Sequence, residues 1–163
     1  MTNVEGVLNK DKGYIYRKKD FDILNGVFSG IKNLNEKKYI VIVITNQSGI
    51  GRGLYSENDL EKLHLFFNKK LRERNANIDY FYYCPYHKDA GIGKYRKDSF
   101  DRKPNPGMIL KAIKHFNLNK EKCFMIGDKL TDKQAAIKAK IKFFYKKNIS
   151  LNKQLNLFLI FIN

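Results

Sequence analysis

Three short stretches of this 163-residue chain carry side chains suited to handling a phosphoryl group. The first is Thr45-Asn46-Gln47-Ser48-Gly49-Ile50-Gly51-Arg52-Gly53, where a hydroxyl, an amide and several glycine N–H groups could cradle phosphate. Its glycines superficially suggest a dinucleotide fingerprint, but Leu54 stands where the third glycine of that pattern is needed. A plain Gly-rich turn is the other reading. The second stretch is Asp101-Arg102-Lys103-Pro104-Asn105-Pro106-Gly107, two cations just before a predicted helix N-terminus. Cations and free helical amides both attract phosphoryl groups, and ordinary surface Arg and Lys are the alternative. The third is Gly127-Asp128-Lys129-Leu130-Thr131-Asp132, with two carboxylates four residues apart. Hard oxygen ligands there suit Mg²⁺; otherwise Asp128 makes a turn and Asp132 supports a helix start.

The elements that must position these stretches alternate in type. Val27, Phe28, Ile31 and Leu34 have helical spacing within 25–37, and Tyr39 to Ile44 is a β-branched run suited to a buried parallel strand. Ser56 opens a helix with Asp59 three residues on as a capping-box variant, and Leu60, Leu63, Phe67 and Leu71 form its stripe. Ile78–Tyr83 reads as a strand, followed by a polar loop over about 84–104. Pro106 fits the first turn of a helix capped by Asn105, with Met108, Ile109, Ile113 and Phe116 inward. Cys123–Ile126 is a short strand, Thr131 caps an Ala-rich helix, and Ile141–Tyr145 is a last strand. This order predicts an α/β fold: a Rossmann-like parallel sheet flanked by helices, with ligands at the carboxyl ends of the strands.

Composition limits the partners. Lys+Arg number 32 against 16 Asp+Glu, a net charge of +16, which by itself suggests an anionic partner such as nucleic acid. Yet 26 of the 32 are lysines, spread over the whole chain beside 17 Asn and 17 Ile, the residues that A/T-rich codons supply. The charge therefore reads as composition, with no nucleic-acid face. No apolar run reaches a membrane span and no signal peptide is expected. Two cysteines, Cys84 and Cys123, fit reduced thiols in the cytoplasm. His64 and His115 read as surface or boundary residues of helices.

In this order and frame the three stretches resemble motifs two, three and four of the haloacid dehalogenase phosphatase superfamily. Asn9-Lys10-Asp11-Lys12-Gly13-Tyr14, Thr45-Asn46-Gln47-Ser48-Gly49-Ile50, Tyr82-Tyr83-Cys84-Pro85, Arg102-Lys103-Pro104-Asn105-Pro106-Gly107 and Gly127-Asp128-Lys129 look like its D-glycero-D-manno-heptose 1,7-bisphosphate 7-phosphatase family, with the histidinol-phosphatase branch nearest. The resemblance spans residues 3–147. It implies a haloacid dehalogenase-like domain over 1–147 without a large cap domain, followed by an atypical apolar tail over 148–163. It further implies a Mg²⁺-dependent phosphatase that removes the 7-phosphate of a heptose bisphosphate through an aspartyl-phosphate, in the synthesis of surface-glycan sugars.

Residue by residue, the resemblance gives Thr45 the phosphoryl oxygens, and Lys103 with Arg102 the charge on the transferring group. Asp128, with Asp132 nearby, is implied for Mg²⁺. Asp11, Lys12, Gly13 and Tyr14, and Asn46, Gln47 and Ser48, are implied substrate contacts. A phosphorylated sugar is the implied partner, and the chain is read as a monomer with no membrane or nucleic-acid partner.

The departures are as specific. The family's Asp-x-Asp-Gly falls on Asn3-Val4-Glu5-Gly6, so an amide replaces the nucleophile, while Glu5 keeps the general acid/base carboxyl one methylene further out. Only Met1 and Thr2 stand for the strand before it, so the first strand is expected to be largely missing. Leu155 to Ile162 is an apolar stretch expected to pair as a strand or lie as an exposed edge. Both ends read as a disturbed copy of a working enzyme, and a catalytically dead phosphosugar-binding remnant is the main alternative. Zinc is not expected: Cys84 matches a family ligand, but Tyr86 takes the His position, His87 is one residue late, and Ser99 and Asp101 replace the later cysteines.

Overall fold

The computed structural model describes residues 1–160. Four short strands run parallel: β1 (Ile42–Asn46) with β2 (Tyr80–Cys84), and β3 (Phe124–Gly127) with β4 (Lys142–Tyr145). Residues 1–3 join the two pairs. Thr2 bridges Val43 and Ile126 in parallel. The Thr2 N–H donates to Ile42 O at 2.9 Å, the Ile44 N–H to Thr2 O at 2.8 Å and the Ile126 N–H to Met1 O at 3.0 Å. The spatial order is therefore β2, β1, residues 1–3, β3, β4, a parallel sheet as the strand–helix alternation predicts.

Alternate residues of the strands go to opposite faces. Val41, Val43, Phe124 and Ile126 join the core under α1 (Val27–Glu36), α3 (Glu57–Arg72) and α6 (Leu151–Leu159). Ile42, Ile44 and Met125 join the core under α4 (Gly107–His115) and α5 (Leu130–Ala139). A single turn, α2 (Ser48–Gly51), follows β1. The capping box of α3 forms as its spacing dictates, with Ser56 Oγ accepting from the Asp59 N–H at 3.1 Å and the Asp59 carboxylate from the Ser56 N–H at 2.9 Å.

Several local expectations are corrected. β1 begins three residues late, because the Tyr39 N–H closes α1 on Leu34 O and the Val41 N–H donates to the Asp79 carboxylate at 2.7 Å. Pro106, not Asn105, caps α4, and the Asn105 amide turns back to Ser99 O. Lys129 takes the cap position of α5, which leaves Thr131 inside the first turn. Residues 155–159 are helical, not a strand: Leu151, Leu155 and Leu159 recur at one-turn spacing and bury against the sheet, and Phe158 stacks on Phe144 at 4.0 Å. Phe161 and Ile162 of that stretch lie outside the described residues.

A cavity of about 830 Å³ opens between the amino ends of β1 and β3, in line with Met1 and lined by Leu8, Tyr39, Val41, Phe124 and Leu155. It is at the opposite end of the sheet from the three phosphoryl-type motifs. There the Met1 amine is buried, which lowers its pKa to about 6, and it donates to Phe124 O at 2.7 Å.

His64, expected as a surface or boundary residue, is half-buried on the side of α3 that faces β2. Its ring stacks on Phe81 at 4.2 Å, its Nε2 has no partner, and burial lowers its pKa from 6.5 to about 4. Below pH 6.5 the unfolded chain takes up a proton that the folded ring refuses. Stability is therefore expected to fall as the pH drops from 6.5 towards 4, by about 3 kcal/mol in all. Urea unfolding of the protein and of H64F at both ends of this range checks it: the variant should lose that part of the acid sensitivity.

Candidate active site

At the carboxyl ends of the central strands, Asn3, Thr45, Asn46 and Asp128 meet Lys103, which comes in from the segment after β2. The Asn46 side chain holds the backbone of Lys103 from both sides: its Nδ2 donates to Lys103 O at 3.0 Å, and its Oδ1 accepts from the Lys103 N–H at 3.0 Å. This clamp sends the lysine inward. Lys103 Nζ donates to Ile44 O at 2.8 Å and lies 2.7 Å from Asp132 Oδ1, with the two side chains 3% and 1% exposed. Burial lowers the Lys103 pKa, and the Asp132 carboxylate opposes that shift. The other oxygen of Asp132 accepts from the N–H groups of Asp128 and Lys129 at 3.2 Å. Asp132, expected beside a metal, is thus committed to Lys103 and to the start of α5.

Asp128 faces the turn over residues 3–9. Gly6 has φ +79°, and a Cβ there would lie 2.1 Å from Asp128 Oδ2, so only glycine allows this approach. Asn3 is 5% exposed; its Nδ2 donates to Glu5 O at 3.0 Å and to Asp128 Oδ1 at 3.3 Å. Burial raises the Asp128 carboxyl, and the Asn3 hydrogen bond counters part of this. Burial, then the Asp11 charge, raises the Glu5 carboxyl above the ordinary range. A carboxyl that holds its proton more tightly suits a general acid.

Thr45 is 1% exposed, and its Oγ accepts from Gln47 Nε2 at 3.0 Å, which keeps its own hydrogen for another acceptor. Gln47 Oε1 in turn accepts from the Tyr55 hydroxyl. Asn46 and Gln47, expected at the substrate, are therefore occupied in bracing the site, while Ser48 opens α2 and is half-buried. Arg102 Nη1 donates to Tyr86 O at 3.0 Å. Burial, and a lesser repulsion from Arg52, lower the Arg102 pKa. Arg52 lies over the Tyr14 ring at 5.7 Å. Exposed Asp11 pairs with Lys129 at 3.0 Å and accepts from the Gly13 N–H at 3.1 Å, tying this loop to the start of α5. Lys12 turns to Asp22 at 3.5 Å.

Residues not singled out from the sequence complete the site: Lys129, Arg52 and Tyr55. Lys129 directly follows Asp128, and Arg52 lies within the glycine loop, so their positions were visible. Nothing in the sequence connects Tyr55 to Gln47.

A family model described as haloacid dehalogenase-like hydrolase matches residues 94–146. The D-glycero-beta-D-manno-heptose-1,7-bisphosphate 7-phosphatase of Photorhabdus laumondii is 40% identical over 137 residues, 84% of this chain and 73% of that protein. The chain belongs to the heptose-bisphosphate phosphatase family. The D-glycero-alpha-D-manno-heptose-1,7-bisphosphate 7-phosphatase of Burkholderia mallei, of the other anomeric type, is 43% identical over 131 residues, 80% of this chain and 69% of that protein. Among solved structures, the D,D-heptose 1,7-bisphosphate phosphatase of B. bronchiseptica, complexed with magnesium and phosphate, superposes with a TM-score of 0.84. It is 23% identical and covers 98% of this chain and 96% of that one, which shows the fold.

Magnesium takes a near-octahedral set of oxygens. In this member the two oxygens that converge beside position 3, Glu5 O and Asp128 Oδ1, are both bound by the Asn3 –NH₂ group, a donor that cannot be a ligand. Asp132 is taken by Lys103, and among the described residues no group of three His, Cys, Asp or Glu could hold a metal. The residues as they stand do not fit magnesium. In the loop after β2, His87 Nδ1 accepts from the Asp89 and Ala90 N–H groups, and Asp101 pairs with Lys111.

Proposed function

We propose that this chain binds the phosphorylated sugar of its family, the heptose 1,7-bisphosphate class, and hydrolyses its 7-phosphate very slowly. The observation that carries this reading is the amide of Asn3 at the end of the central strand segment, beside Asp128. Thr45 and Lys103 supply a hydroxyl and an ammonium for the phosphoryl oxygens. Arg102 and its neighbour Arg52 supply cations for an anionic substrate that carries two phosphates. Glu5, with its raised pKa, is placed to give a proton to the leaving sugar oxygen. The attacking carboxylate is what the chain lacks, since an amide nitrogen shares its electrons with the carbonyl and forms no acyl-phosphate. Losing a nucleophile costs on the order of 10⁴ to 10⁶ in rate.

Calorimetric titration with the bisphosphate, together with phosphate release, tests the reading. Binding should be measurable and weaken about 10- to 100-fold in R102A, the usual effect of losing a charged hydrogen bond. Turnover in the ordinary range of about 1–10³ s⁻¹, or absence of any sugar phosphate binding, sinks it.

A further inference from the structure

The geometry points to the Asn3 carboxamide standing in for a cation: its –NH₂ bridges the oxygens that a divalent ion would otherwise hold together, so the site is assembled without metal. This deepens the reading of position 3 given above and rests on it. Asn3 Nδ2 lies 3.0 Å from Glu5 O and 3.3 Å from Asp128 Oδ1, one for each of its two hydrogens. Asn3 is 5% exposed, so this is the interior of the site and not its rim. The approach of Asp128 is fixed from the other side by Gly6, whose missing side chain makes the room.

Two consequences follow from charge and size. A carboxylate at position 3 would face Asp128 across the same gap, and two like charges at this range need a cation between them. An amide removes one of those charges and adds two partly positive hydrogens, so the need disappears. Oxygens around an –NH₂ group stand about 1 Å further out than the ~2.1 Å of a Mg²⁺–oxygen bond. The oxygens here are at the hydrogen-bonding distance. Metal binding must therefore break both Asn3 hydrogen bonds and draw the oxygens inward, with one carboxylate fewer to compensate.

The test needs no substrate. Thermal unfolding of the protein should not respond to MgCl₂ beyond an equal-ionic-strength NaCl control, and EDTA should leave it unchanged. N3D should melt lower in EDTA and recover with Mg²⁺, as binding to the folded state requires. Its affinity should exceed that of the unaltered chain on the order of 100-fold, the upper end of what even an indirect ligand partner is worth. Should N3D not fold, water-proton relaxation with Mn²⁺ decides the matter on the unaltered chain: enhancement should match that of D128N. Binding of Mn²⁺ or Mg²⁺ that D128N abolishes overturns the proposal, as does an N3D protein indifferent to metal. Either result leaves the sugar-binding reading standing, because that reading is scored by bisphosphate titration and turnover.

Discussion

N3D is expected to raise phosphate release from heptose bisphosphate, in the presence of Mg²⁺, by on the order of 10⁴ or more, the scale of restoring a lost nucleophile. Position 3 already has the surroundings a nucleophile needs. It ends a segment hydrogen-bonded to β1 and β3 on both sides, so its backbone is held by the sheet. Asp128 is hydrogen-bonded to it, and Thr45 and Lys103 lie at the same carboxyl ends of the strands, each from a separate segment. The gain should stop short of an ordinary family rate, because Glu5 carries its carboxyl one methylene further out than Asp, and a misplacement of about 1 Å costs about 100-fold. Adding E5D to N3D should recover most of that factor, while E5D alone leaves turnover near the starting level. Steady-state phosphate release from the four proteins is the measurement. An N3D protein that folds, binds Mg²⁺ and substrate, and still shows no gain would show that the geometry at position 3 does not support attack.

The second large effect is on stability. K103M is expected to destabilise the fold by about 3–5 kcal/mol, the usual cost of leaving one partner of a buried ion pair alone. In a domain of this size that lowers Tm by roughly 10 °C. The Asp132 carboxylate, 1% exposed, loses the ammonium 2.7 Å away, and Ile44 O loses a donor. The double variant K103M/D132L should be milder than K103M, since apolar groups leave no buried charge. It should remain below the unaltered chain by about 1 kcal/mol, because the second oxygen of Asp132 also receives the Asp128 and Lys129 N–H groups at the start of α5. Urea unfolding of the single and double variants reads the coupling directly. If K103M has the midpoint of the unaltered chain, the pair carries no stabilisation, and the buried lysine must be explained by phosphate binding alone.

Lys103 also shows how far motif reading reaches. Its place before a helix marks it as a phosphate cation, and the structure buries it at the carboxyl ends of the strands. What the motif does not show is that the same ammonium holds Asp132 and that Asn46 aims it by clamping its backbone. Those contacts join residues 57 and 29 positions apart in the chain, and nothing local to any of them encodes the meeting. Asp132 is the clearest case. Four residues after Asp128 and at the start of a helix, it reads equally well as a metal ligand or a helix-start carboxylate. Only the approach of Lys103 commits it.

The helix α6 makes the same point for the fold. Leu155 to Ile162 is apolar and reads as a strand by composition, yet Leu151, Leu155 and Leu159 recur at one-turn spacing and bury with the α1 residues. Gly30 on α1 makes the close approach possible, since a Cβ there would lie 3.0 Å from the Leu155 side chain. His64 is similar: the ring it stacks on, Phe81, belongs to a different element and is not a neighbour in sequence.

By itself the sequence determines the parallel α/β order, because β-branched runs and helical stripes are local signals that the chain obeys, although of the expected caps only Ser56 takes its place. It also determines the identity of each reactive side chain, including the amide at position 3 and the glutamate at position 5. The tertiary structure alone decides what those side chains are doing. It puts the Asn3 –NH₂ between two oxygens, spends Asp132 on Lys103, and places Asp128 against a glycine that makes room for it. The physical reason is range: helix and strand preferences act over a few residues, whereas charges and hydrogen bonds in a buried site act between groups that meet only when the sheet closes.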